Sequence, residues 1–245
     1  MEKLRPKAVI FDLGSTLIEY EAIPWPILGR ECSLATRKFL IREEYSVPEP
    51  EEFANLFDAA KDPYRLRAAE EYIEWSIPLA AADLLKRLGI EISDNLIDRM
   101  FDAYYEPVDK RLFVYEDTVD TLSRIKSRYE CIGLISNTVF PERTHLAELK
   151  RFGIEPYLSF ALFSSNLGIR KPHPEVFLRG SREAGFAPEE CVYIGDRYLE
   201  DITGPSGVGM PAILKVTANR DYPAEFPSGM RTITTLAELE KHLDI

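Results

Sequence analysis

Three short apolar runs each stop on a polar residue. Ala8-Val9-Ile10-Phe11 runs into Asp12, Cys131-Ile132-Gly133-Leu134-Ile135 into Ser136, and Cys191-Val192-Tyr193-Ile194-Gly195 into Asp196. Leu158 to Phe163 and Ala212 to Val216 have the same character. None alternates apolar with polar, so all five read as strands covered on both faces. Helical patterns separate them, at Thr118 to Tyr129, Glu142 to Phe152 and Pro174 to Ala184, the last opening on proline and followed by Gly185. This alternation predicts an α/β fold, a doubly wound, Rossmann-like parallel sheet.

The rhythm breaks once, from about Glu19 to Leu112. Amphipathic patterns cover Pro26 to Arg42, Pro78 to Leu88 and Asp94 to Tyr105, with Ser93 suited to cap the last, and no strand pattern is convincing. An all-helical insertion is expected here. The predicted domains are therefore an α/β core of residues 1–18 and 113–245 and a helical domain of residues 19–112.

Charge narrows the partners. The 245-residue chain has 41 Asp and Glu against 30 Lys and Arg, a formal net charge of −11, and no basic stripe, so nucleic acid is not an expected partner. No apolar run approaches the ~18 residues of a membrane span, and Met1 to Lys7 lacks the hydrophobic stretch of a secretory signal. A cytoplasmic protein with no membrane association is expected. Cys32, Cys131 and Cys191 form no C-x-x-C pair and read as reduced, packed thiols. The sequence leaves the oligomeric state open.

In open parallel sheets, ligands sit beyond the carboxyl ends of the strands, where strand order reverses. Asp12, Ser136 and Asp196 each follow or close such a strand. Any one of them, taken alone, reads as a turn or helix cap. Two carboxylates and a hydroxyl on one edge repel unless a cation or ligand organises them, and a divalent metal would do so.

These segments resemble the motifs of the haloacid dehalogenase-like hydrolase superfamily. Phe11-Asp12-Leu13-Gly14-Ser15-Thr16-Leu17 looks like its first motif and Leu134-Ile135-Ser136-Asn137-Thr138 its second. Gly168 to Phe177, with Lys171-Pro172, is similar to the third, and Ile194-Gly195-Asp196 with Asp201 to the fourth. Thr232 to Leu243 reads like the closing strand and helix. The resemblance makes the insertion a C1-type cap enclosing a small phosphorylated substrate. It implies Asp12 as nucleophile, forming an aspartyl-phosphate, and Mg²⁺ held by Asp12, the Gly14 carbonyl, Asp196 and, directly or at one remove, Asp201. Ser136 and the Asn137 amide would bind phosphate oxygens, Lys171 would supply positive charge, and Thr16 would orient Asp12 or its loop.

One position departs from the pattern. Family phosphatases carry a second Asp two residues after the nucleophile, and here Gly14 stands there. Its carbonyl can still serve a metal, but it has no proton to give or take. Acid–base help is worth about 10²- to 10⁴-fold, so a slow or selective Mg²⁺-dependent phosphatase is expected, favouring good leaving groups or borrowing a donor from Glu19, Tyr20 or Glu21. Two enzyme alternatives stay open, a phosphonatase using Lys38, Lys61 or Lys86 and a 2-haloacid dehalogenase. A third is a catalytically silent phosphate-binding or regulatory protein. Elsewhere, His173 lies between Pro172 and Pro174 and reads as part of a rigid loop. His145 and His242 show no partner in sequence, and Arg65 and Arg67 read equally as anion contacts or an exposed helical face.

Overall fold

An apolar run without alternation needs cover on both faces, and β1 (Ala8–Phe11) has it, all four residues being buried. In the computed structural model, which describes residues 2–218 and 220–245, the chain continues through β2 (Ile18–Glu19). Four helices follow, α1 (Trp25–Arg42), α2 (Pro50–Glu71), α3 (Ile77–Arg87) and α4 (Asp94–Asp109). Then come β3 (Phe113–Val114), α5 (Thr118–Lys126), β4 (Cys131–Ser136), α6 (Glu142–Arg151), β5 (Phe160–Phe163), the single turn α7 (Ser164–Leu167) and α8 (Pro174–Ala184). β6 (Cys191–Gly195), a π-helical turn (Tyr198–Thr203), the short α9 (Gly204–Ser206), β7 (Ala212–Lys215) and β8 (Arg231–Ile233) complete the core.

The sheet has six strands in the order β5-β4-β1-β6-β7-β8, and every pairing is parallel. From β1 the chain builds β4 and β5 on one side, then crosses to β6, β7 and β8 on the other. The reversal lies at β1, where a ligand site is expected. Register completes the arrangement. Phe11 pairs with Leu134 on one side and Ile194 on the other, so Asp12, Ser136 and Asp196 come out at one edge. α8 lies close enough to the sheet that a β-carbon on Gly180 would come within 2.5 Å of the Ile135 side chain, which explains a glycine in mid-helix.

The chain divides into two compact units, Met1–Glu19 with Val114–Ile245, and Tyr20–Phe113. In the second, α1 packs chiefly on α4, and α2 on α3. Ser93 caps α4 by accepting the Leu96 N–H at 3.2 Å. The sequence patterns did not single out α2. It carries Pro63 in its interior and buries Lys61 beside Phe53, Phe57 and Ala60, so its helical stripe is interrupted by a proline and a charge. α4 runs through Pro107 to Asp109, beyond the expected Tyr105.

Two segments of the core differ from expectation. Residues Glu155–Tyr157 form a 3₁₀ turn, so β5 starts at Phe160 instead of Leu158. The closing segment Leu236–Lys241 is 3₁₀ throughout, pinned where Glu238 Oε2 accepts the N–H of Thr234 at 2.6 Å. As edge strands, β5 and β8 are only partly buried, unlike the fully covered β1, β4 and β6. All three cysteines are free and buried. Among the described residues, no helix is long and apolar enough to cross a membrane.

Candidate active site

Asp12 leaves the end of β1 into a tight loop in which Leu17 and Ile18 both donate their N–H groups to Leu13 O. Ser15 sits there in the left-handed region, at φ 56°. This turn brings Thr16 Oγ1 back to 3.4 Å from Asp12 Oδ2, where it donates a long hydrogen bond. Across the edge, the buried Lys171 ammonium spends its three donors on Asp12 Oδ1 (2.7 Å), Asp201 Oδ1 (2.6 Å) and the Tyr193 hydroxyl (2.7 Å). Tyr193 in turn donates to Ile135 O at 2.9 Å.

Asp196 and Asp201 come from the end of β6 and the π-helical turn after it. One oxygen from each of Asp12, Asp196 and Asp201 lies within 4.8 Å of the others, and all three residues are buried. Gly195 permits this packing. A β-carbon there would lie 2.4 Å from Asp201 Cγ, so only glycine leaves room for that carboxylate. Asp201 Oδ2 accepts the Arg197 N–H at 2.9 Å, and Asp196 Oδ2 accepts from Arg220 Nε at 2.5 Å. Asp196 Oδ1 is buried with no hydrogen-bond partner among the described residues. An all-oxygen donor set with a spare buried lone pair fits a hard divalent cation.

The electrostatics follow from this crowding. Burial pushes the Asp12 carboxyl up; Lys171 opposes the rise and Asp201 adds to it. Burial, reinforced by Asp12 and Asp201, raises Asp196 to about 7 despite Arg220. For Lys171, burial disfavours the ammonium, but Asp12 and Asp201 outweigh it and hold the group well above its usual value. Lys171 therefore stays charged at neutral pH.

Two polar clusters surround the site that sequence reasoning missed. In the first, Ser15 O accepts from Lys215 Nζ at 2.8 Å, while Ser15 Oγ donates to Glu19 at 3.3 Å and accepts from Arg220 at 3.3 Å. Tyr115 donates to Glu19 Oε2 at 2.5 Å, and the Lys215 ammonium lies 3.5 Å from the Tyr115 ring centroid. Burial lowers Lys215 to about 8. In the second cluster, His145 joins Thr138 Oγ1 (2.7 Å) to Glu148 (2.8 Å) and stacks on Phe163. The sequence clue was the His145/Glu148 spacing on one helical face, which carries meaning only once the helix is seen to be buried.

Ser136 closes β4 and is buried at the same edge. The side-chain amide of Asn137 is engaged elsewhere, donating to Lys171 O at 2.9 Å and accepting the Lys171 N–H at 2.8 Å. Gly14 bridges to Ile18 within the loop. His173 caps α8 through Nδ1, which accepts the Glu175 N–H at 3.2 Å. Arg65 is exposed and paired with Asp58 and Asp62, and Arg67 with Glu71.

A sequence model of the haloacid dehalogenase-like hydrolases matches residues 6–209. The chain is 29% identical over 209 residues to a glyceraldehyde 3-phosphate phosphatase of Methanopyrus kandleri, covering 84% of this chain and 82% of that one. It is 27% identical over 120 residues to a phosphoglycolate phosphatase of Escherichia coli, covering 49% of this chain and 46% of that one. Among solved structures, a 2-haloacid dehalogenase from Pseudomonas syringae pv. Tomato aligns with a TM-score of 0.72 at 24% identity, over 96% of this chain and 97% of the other. A phosphatase from Thermococcus onnurineus gives 0.65 at 24%, over 96% of both. The two structural likenesses bear on the fold alone.

Proposed function

The chain belongs to the haloacid dehalogenase-like hydrolases, and on that premise we propose that it is a Mg²⁺-dependent phosphatase of small phosphorylated metabolites with Asp12 as nucleophile. One observation carries the reading: three buried carboxylates converge at the sheet edge, one oxygen of Asp196 has no hydrogen-bond partner among the described residues, and a lysine is anchored on the proposed nucleophile. The phosphatase activities for which the relatives at 29% and 27% identity are named support the substrate class. We read the all-helical unit inserted between β2 and β3 as a C1-type cap.

The residues divide the work as follows. Asp12 attacks phosphorus in line, the bond from phosphorus to the ester or acyl oxygen breaks, and that oxygen leaves with the bonding pair. Water then cleaves the aspartyl-phosphate, releasing inorganic phosphate and restoring the carboxylate. Lys171 fixes Asp12 through Oδ1, while Thr16 reaches Oδ2 at 3.4 Å, and keeps positive charge beside the transferring group. The Ser136 hydroxyl and the main-chain N–H of Asn137 would hold phosphoryl oxygens. Mg²⁺ at Asp12, Asp196 and the Gly14 carbonyl, with Asp201 directly or through water, would neutralise charge on those oxygens.

Gly14 offers no proton, so leaving groups that depart unprotonated should turn over best. The imine chemistry of a phosphonatase is less well supported. Lys61 is buried, paired with Asp58 at 3.1 Å and seated over the Phe57 ring, while Lys38 and Lys86 are exposed. The test is a panel of acyl, aryl and alkyl phosphates, phosphonoacetaldehyde and 2-haloacids, assayed with and without Mg²⁺. Phosphate release that needs Mg²⁺ and vanishes in Asp12→Asn is the expected outcome. Aldehyde or halide release would replace this reading, and retained phosphate binding without turnover would make the protein a silent binder.

A further inference from the structure

We propose that Arg220 is a resident counter-cation of the acidic cluster, holding Asp196 in the metal-free protein and weakening its grip on divalent cations. This rests on the reading of Asp12, Asp196 and Asp201 as metal ligands, and adds a role for a residue beyond β7 that no motif includes.

The guanidinium is built into the site. Its Nε donates to Asp196 Oδ2 at 2.5 Å and a terminal nitrogen donates to Ser15 Oγ at 3.3 Å, with the side chain only 11% exposed. Arginine stays charged at every working pH and offers only donors, so it can never become a ligand itself. Three carboxylates thus face two cations, Lys171 and Arg220, and the metal-free cluster carries one negative charge in excess. Without Arg220 the excess would be two, and the cluster would be more self-repulsive when empty and more attractive to a dication.

Geometry makes this a tuning contact instead of a block. Arg220 takes Oδ2 and leaves Oδ1 of the same carboxylate buried, with no hydrogen-bond partner among the described residues. A cation can therefore approach Oδ1 with the guanidinium in place, and like charges so close in a partly screened interior alter binding by well over a factor of ten. In the loaded site the retained guanidinium leaves a positive excess, which suits a dianionic phosphoryl group.

The experiment is calorimetric titration of Mg²⁺ into the metal-free full-length protein, comparing wild type, Arg220→Met and Arg220→Lys, with thermal unfolding of each. Arg220→Met should bind Mg²⁺ at least tenfold more tightly and Arg220→Lys close to wild type. Metal-free Arg220→Met should also unfold at a lower temperature than wild type, with the gap closing at saturating Mg²⁺. Equal or weaker affinity in a folded Arg220→Met protein overturns the proposal while leaving the metal reading intact. No binding by either protein overturns the metal reading and this proposal with it. Should Arg220→Met not fold without metal, Arg220→Gln removes the charge while keeping a donor and gives the same comparison.

Discussion

The side-chain amide of Asn137 closes on the main chain of Lys171 at both polar atoms, 2.9 Å from its carbonyl and 2.8 Å from its nitrogen. The loop after β4 thereby sets where the Lys171 ammonium meets Asp12, although Asn137 touches neither charged group. Asn137→Ala should lower kcat by about 10- to 100-fold with little change in KM, because Lys171 would be delivered less accurately to the transferring phosphoryl group. Steady-state kinetics on a folded variant checks this; a rise in KM at unchanged kcat would count against it.

Lys171 also answers a structural need. Removing it leaves Asp12 and Asp201 facing one another inside the protein without their shared cation. Lys171→Met should cost about 3–5 kcal/mol in urea unfolding of the metal-free protein and abolish turnover. Saturating Mg²⁺ should recover part of the stability and none of the activity.

Asp196 makes stability depend on pH in an unusual direction for a carboxylate. Its folded value is raised to about 7, so between roughly pH 4 and 7 the native state holds a proton that the unfolded chain has released. Stability of the metal-free protein from this group is greatest below that window and falls as pH rises through it. Asp196→Asn should therefore gain on wild type from pH 4 to 7, on the order of a few kcal/mol, and level off above. Urea unfolding of both proteins across this range measures the difference. A flat difference would show that Asp196 is ionised throughout.

Gly14 should govern leaving-group selectivity. Alkyl phosphates need a proton as the bond breaks, acyl phosphates do not, and wild type should favour the latter strongly. Gly14→Asp should raise turnover mainly on alkyl esters, by up to about 10²-fold, with circular dichroism confirming the fold. A folded variant without that gain would show that proton delivery is not what limits the enzyme.

The strands were legible because burial on both faces leaves an unmistakable mark, and the abrupt polar stops of β1, β4 and β6 announced the edge. α8 was legible for a local reason too, with Pro174 at its first position and Gly185 in the left-handed cap. What escaped was encoded across long separations. Arg220 meets Ser15, 205 residues away, and Tyr115 meets Glu19 at a separation of 96. Neither has a neighbour in sequence that hints at its partner. Asn137 was placed at the right edge, but its side chain is turned to Lys171, because an amide there satisfies two main-chain groups at once. α2 was covered only by the general expectation of a helical insertion, because Pro63 and the buried charge of Lys61 interrupt its stripe of Phe53, Phe57 and Ala60.

The π-helical turn Tyr198–Thr203 admits one more residue per turn than an ordinary helix would. That wider turn makes Asp201 the member of the acidic cluster whose placement depends on an uncommon backbone form. Rewinding the same residues as a regular helix, at about 3.6 residues per turn, would re-aim that carboxylate while leaving the composition of the site untouched.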